Sequence, residues 1–215
     1  ARHFTLSADR LKAYTDAVVA IAQTLLILPL LESVAGARAN GWTATQWLAE
    51  ERDAVLWFAV SFVLIGTFWL QHEHIYRHIE RPTEALHALN ALWMFSIVCF
   101  PVITSLLTLE NTDVMQKALY LGCMVLCSWS LAAALLFALR HPETFGDRPR
   151  PLARTFAATG GMALLYGVAF VLGLAIPGSA GYFALCVLAL MPLLVRLLTP
   201  VVALRMLRSG VSAGT

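Results

Sequence analysis

Asp16 stands directly before an apolar run, Ala17–Leu31, in which Gln23 and Thr24 are the polar residues. An ionisable side chain at the edge of hydrocarbon is costly and marks function by default, so this carboxylate needs donors. Candidates end a later apolar run that reads Phe68-Trp69-Leu70-Gln71-His72-Glu73-His74-Ile75-Tyr76-Arg77-His78. Trp69, His72 and Tyr76 follow i, i+3, i+7 spacing and share one face of a helix. Asn90 is an isolated amide in a third apolar run, and Arg10 lies about a turn and a half before Asp16. The expectation is a polar knot of Arg10, Asp16, Trp69, His72 and Asn90 at one end of packed helices, in which each group satisfies another.

The run after Asp16 carries a second pattern. At about 100° per residue, Leu25 falls at about +40° from Ile21, Leu28 at about −20°, Glu32 at about +20° and Thr24 at about −60°. One face therefore presents Ile21, Thr24, Leu25, Leu28 and Glu32. Such a stripe reads either as a lipid-facing or packing surface, or as a pore face with an apolar constriction, a hydroxyl ring and an acidic mouth. Periodicity leaves both open. His74 and His78 have the i, i+4 spacing of two metal ligands on one helix, but Tyr76 spoils an HExxH motif and no companion acid or cysteine is spaced to complete a site. No metal site is expected. Cys99, Cys123, Cys127 and Cys186 all lie in apolar runs without a CxxC motif and read as small buried hydrophobes. Phosphate loops, nucleophile elbows and the TVGYG filter are absent from the sequence.

The elements that must position these residues follow from composition. Of 215 residues, 59% are hydrophobic and 13% charged, about half the charge of an ordinary soluble domain. Mean hydropathy is +0.73. This excludes a disordered chain, a nucleic-acid-binding domain and almost any soluble enzyme. A membrane-spanning helix needs about 20 mostly apolar residues, and six such stretches are legible: Ala17–Leu31 with a polar helical lead-in from Ala8, Ala54–Leu70, Ala85–Leu109, Val114–Leu139, Phe156–Ile176 and Tyr182–Leu207. The runs are too long, and too little alternating, for a membrane barrel. The expected architecture is an all-α membrane protein, one six-helix domain over residues 1–215. Gly160, Gly161, Ala163, Gly167 and Gly173 on the fifth span are small residues of the kind that let membrane helices approach closely.

Charge placement supports six spans. Arg2, Arg10, Lys12, Arg77, Arg81, Arg140, Arg148, Arg150, Arg154, Arg196, Arg205 and Arg208 fall on one side, and Arg38, Arg52 and Lys117 on the other. Cytoplasmic segments hold the basic excess, so both termini are expected in the cytoplasm. The basic start followed by Ala17–Leu31 and Ala35-Gly36-Ala37 has the outline of a signal peptide, but Asp9 and Asp16 argue for a retained span. The outer loop holds Trp42 and Trp47, suited to a membrane interface, with acids Glu50, Glu51 and Asp53 that would draw cations.

The stretch Arg10-x-x-x-Tyr14-Thr15-Asp16 resembles the Arg-x-x-x-Phe-Ser-Asp motif of the transmembrane protein 175 family of potassium channels, with Tyr14 and Thr15 in place of Phe and Ser. Phe68-Trp69-x-x-His72 resembles that family's second helix, and Leu89-Asn90-Ala91-Leu92-Trp93 with Phe100-Pro101 its third. The family is endolysosomal in animals and found in the plasma membrane of bacteria and archaea. The resemblance implies a homotetramer whose first helices line a central pore, with Ile21, Leu25 and Leu28 as the constriction and Thr24 contributing to potassium preference. Glu32 would stand at the pore mouth. Arg10, Tyr14, Thr15, Asp16, Trp69, His72 and Asn90 would form the motif and its supporting network. It further implies a multi-pass protein of a prokaryotic cell membrane, not an enzyme, with potassium as permeant ion and lipid and its own copies as partners. No cofactor and no nucleic acid are expected. The alternative is a secondary carrier of ions or solutes, which should show inverted repeats and broken helices; Pro177 and Pro192 have no matching pair in the first half.

Overall fold

Hydrocarbon offers no water to pair backbone groups, so each apolar run must close its own hydrogen bonds as a helix. The computed structural model describes residues 7–109, 111–147 and 153–208. Arg2, Arg148 and Arg150 of the charge tally lie outside the described residues. The helices are α1 (Ala8–Leu25), α2 (Leu28–Ala39), α3 (Ala44–Glu50), α4 (Arg52–Tyr76), α5 (Glu84–Leu106), α6 (Val114–Arg140), α7 (Ala153–Ala175) and α8 (Met191–Arg208). Shorter 3₁₀ pitch appears at Pro142–Phe145 and Gly178–Leu190. Among the described residues, six stretches are long and apolar enough to cross a membrane, namely α1 with α2, then α4, α5, α6 and α7, and finally Gly178–Ala203.

The ends of these elements follow local chemistry. The Thr83 hydroxyl accepts the Leu86 N–H, and the Asp113 carboxylate accepts the Gln116 N–H, opening α5 and α6. Thr43 and Gln46 form a reciprocal capping box at α3. Three spans depart from the expected boundaries. The first breaks at Leu26 and Ile27, because Pro29 has no N–H for the Leu25 carbonyl and its ring crowds that oxygen; the Ile27 N–H turns to Thr24 instead. The second continues to Tyr76, six residues past its apolar run, because His72, Ile75 and Tyr76 are buried against neighbours. The last begins as 3₁₀ at Gly178 and becomes α-helical only at Met191. Pro192 has no N–H for the Leu188 carbonyl, which is served by Met191.

Helices α4 to α7 enclose the core, whose largest buried side chains include Trp93, Tyr76, Tyr120, Phe68 and Phe100. Helix α1 packs on α5 and α4, while the 3₁₀ stretch and α8 pack on α7. The α4–α5 and α6–α7 connections, which the charge tally assigns to one side, touch each other. The Thr144 carbonyl accepts the N–H groups of Glu80 and Arg81, each at 3.0 Å. The Glu80 carboxylate in turn accepts the Asp147 N–H at 3.0 Å.

Candidate functional site: the first helix and the network behind it

Helix α1 has two unlike faces. Leu11, Thr15, Val19, Ala22 and Leu26 recur every three or four residues and are buried against the rest of the chain. Ile21, Leu25 and Leu28 are 59%, 39% and 47% exposed, and Thr24 and Glu32 are exposed with them. The stripe continues onto α2 across the break before Pro29. Tyr14 lies on the same side, 60% exposed, seven residues before Ile21. The Thr24 hydroxyl donates to the Ile21 carbonyl at 2.8 Å. That bond uses the hydroxyl proton and leaves the oxygen's lone pairs free to accept.

Polar bonds fasten α1 to its neighbours, from the exposed Asp16 and from Thr15 on the buried face. The Trp69 indole N–H donates to the Asp16 carboxylate at 2.8 Å, joining α4 to α1. His72 Nε2 donates to the Asn90 side-chain oxygen at 2.6 Å. The Asn90 amide donates to the Thr15 hydroxyl at 3.0 Å, and that hydroxyl donates to the Leu11 carbonyl at 2.9 Å. His72, Asn90 and Thr15 thus form a directional chain across α4, α5 and α1. The His72 ring is held between Tyr76 and Trp93, with centroids 4.1 and 4.4 Å away.

The five residues expected in one knot therefore lie in two adjoining sets. Asp16 pairs with Trp69, and His72 pairs with Asn90. Arg10 is exposed, and among the described residues no hydrogen bond or ion pair joins it to Asp16. The linking member is Thr15, fully buried. The family motif had already named Thr15 in the network, and it falls in the series Leu11, Thr15, Val19, Ala22 that forms the buried face.

Two further polar features lie later in the chain. Ser61, Thr104 and Tyr120 bond to one another inside the membrane-spanning region, at 2.9 Å from Thr104 to Ser61 and 3.1 Å between Ser61 and Tyr120. The buried Lys117 ammonium donates to the Ile176 carbonyl just past α7. This seats a positive charge at the negative end of that helix. The outer acids separate as well. Glu50, Glu51 and Asp53 line a cavity between α4, the end of α5 and the 3₁₀ stretch, and Glu32 is not among its lining residues.

Comparison with known proteins covers the same elements. The family model described as endosomal/lysosomal potassium channel TMEM175 matches residues 10–101, from the motif arginine to the proline within α5. The chain is 30% identical over 172 residues to a potassium channel of Streptomyces collinus, covering 75% of this chain and 82% of that protein. It is 26% identical over 144 residues to the endosomal/lysosomal proton channel TMEM175 of Danio rerio, and 28% identical over 162 residues to that of Bos taurus. It spans 27% and 33% of the length of those two animal relatives. The match over α1, α4 and α5, with the near full-length bacterial relative, establishes that this chain belongs to the TMEM175 potassium-channel family.

Proposed function

We propose that the chain conducts potassium ions passively across a membrane as a homotetramer, with four copies of α1 and the start of α2 around a central pore. The observation that carries this reading is the two-faced first helix. The helix is held by the Asp16–Trp69 bond to α4 and by the Thr15–Asn90 bond to α5, while Ile21, Thr24, Leu25, Leu28 and Glu32 remain uncovered. A stripe on one helix cannot enclose a pore, whereas several copies related by a rotation axis can.

In that arrangement the rings of Ile21, Leu25 and Leu28 narrow the pathway and close it by dewetting. The ring of Thr24 hydroxyls, each with its proton committed to the Ile21 carbonyl, offers oxygen lone pairs to a partly dehydrated cation. Four hydroxyls replace only part of a hydration shell, so discrimination between potassium and sodium is moderate. Glu32 draws cations to the mouth. The polar bonds behind the helix hold its rotation, which decides which side chains meet at the axis. Potassium is favoured over the proton as permeant ion because a bacterial relative, 82% of which this chain covers, is named a potassium channel. With that bacterial relative and the placement of its basic residues, the chain reads as a plasma-membrane protein of a prokaryote with cytoplasmic termini.

The test is ion flux into proteoliposomes of the purified full chain under potassium, sodium and proton gradients. Potassium-preferring flux is expected. Thr24→Ala should keep flux and lower the potassium-over-sodium ratio severalfold. Ile21→Ala should raise basal flux, because a smaller ring stays wetted. A ratio unmoved by Thr24→Ala removes Thr24 from selectivity, and flux from a monomer would favour a carrier.

A further inference from the structure

Gln23 is the polar residue of the first apolar run that the exposed stripe does not use. At about 100° per residue it lies about 200° from Ile21, on the far side of α1. It is half-buried, and its side-chain amide donates to the Phe62 carbonyl of α4 at 3.3 Å. Gly66, one turn beyond Phe62, has no side chain in the way. A Cβ on Gly66 would lie 3.6 Å from the Gln23 amide nitrogen, and among the described residues no other side chain of a neighbouring helix comes within 4 Å of that position. The ties of α1 described above, at Thr15 and Asp16, lie about two turns, or about 10 Å, nearer its start. Gln23 ties the other end, where α1 stops at Leu25 before the Pro29 break and where Thr24 stands.

We infer that Gln23 is a positioning residue for ion selection. Its bond to the Phe62 carbonyl sets the rotation of the end of α1, and with it the direction in which the Thr24 hydroxyl faces. The inference rests on the pore reading of α1. A helix tied at one end alone is free to twist and tilt at the other. The buried neighbours of Gln23 are Val19, Ala22 and Leu26, whose apolar contacts have no direction. In lipid those contacts gain nothing from hydrophobic burial, whereas an interhelical hydrogen bond is directional. A ring of hydroxyl oxygens that replaces part of a hydration shell must be held within about 0.5 Å and 10–20° of its working geometry. Gln23 supplies that hold from behind, without touching the ion.

The experiment measures reversal potentials of the purified full chain in planar bilayers, with potassium on one side and sodium on the other. Gln23→Met keeps an unbranched side chain of similar length but cannot donate. It should lower the potassium-over-sodium ratio about threefold, because the Thr24 ring loses its registration. Gly66→Val reaches the same bond from α4, since its added carbons take the place of the amide, and should lower the ratio likewise. In a Thr24→Ala background Gln23→Met should lower the ratio no further, because the group that it aims is gone. An unchanged ratio in Gln23→Met, or in Gly66→Val should Gln23→Met not fold, overturns the inference and leaves the pore reading standing, whatever happens to the unfolding midpoint. So does an equal fall with and without Thr24. A ratio that Thr24→Ala itself does not move overturns the inference together with the selectivity role of Thr24.

Discussion

Asn90 does the work of two residues. Its oxygen accepts a hydrogen bond from the His72 ring N–H and its amide donates to Thr15, so one side chain joins three spans. Lipid tails are as apolar as the helices they surround, so hydrophobic burial does not drive spans together there, and interhelical hydrogen bonds of about 1 kcal/mol each contribute in its place. Asn90→Ala removes both bonds and leaves the buried His72 and Thr15 groups without their partners. A loss of about 1–3 kcal/mol is expected, read as a fall in thermal unfolding midpoint of the detergent-solubilised protein. Asn90→Asp, which still accepts from His72, should fall between. An unchanged midpoint for Asn90→Ala would mean that the network has no net effect on stability. The Trp69–Asp16 bond was expected from residue types, whereas the place of Thr15 needed the rotation of α1 to be known.

At the scale of elements, small residues matter where backbones touch. A Cβ on Gly173 would meet Leu121 Cδ1 at 2.3 Å, and one on Gly181 would meet the Gly173 carbonyl at 2.4 Å. These two glycines let the entry to the last span lie against α7, where Lys117 holds the Ile176 carbonyl. Gly160, which sequence groups with the same small residues, has nothing within 4 Å of an added Cβ. Gly181→Ala and Gly173→Ala should therefore lower the unfolding midpoint, by more for Gly181, whose clash is with backbone. Gly160→Ala should be neutral or stabilising by about 0.5–1 kcal/mol, the helix advantage of alanine over glycine. Equal effects at positions 160 and 181 would show that the close approach is not maintained in the membrane. Pro29 was visible as a residue, but its break belongs to backbone geometry: it ends α1 between Leu25 and Leu28, so the stripe crosses from one helix to the next.

For the whole molecule, the proposed tetramer makes a geometric prediction. Residues near a fourfold axis approach their own copies, and residues on the outside do not. In a variant with Cys186, the exposed cysteine, replaced by serine, Leu28→Cys should give disulfide-linked dimers under mild oxidation. Val171→Cys, 65% exposed on α7, should not. Cross-linking at position 171 but not at 28 would place α7, rather than the first helix, at the axis.

What the sequence determined was the helical, membrane-spanning character and its count. A span in lipid must satisfy every backbone group within itself, so length and apolarity suffice to identify it, and six runs became six membrane-capable stretches. It also determined that Ile21, Thr24 and Leu25 share a face, because helical period is a local property, whereas Leu28 and Glu32 lie beyond the break before Pro29. The tertiary structure decided what each face meets. Thr15 rather than Arg10 completes the network behind α1. Glu50, Glu51 and Asp53 join Trp57 and Tyr182 from distant segments around a cavity separate from Glu32. Periodicity fixes which residues point together, but their partners depend on how neighbouring helices rotate and slide against one another, and that is set by packing between segments far apart in the chain.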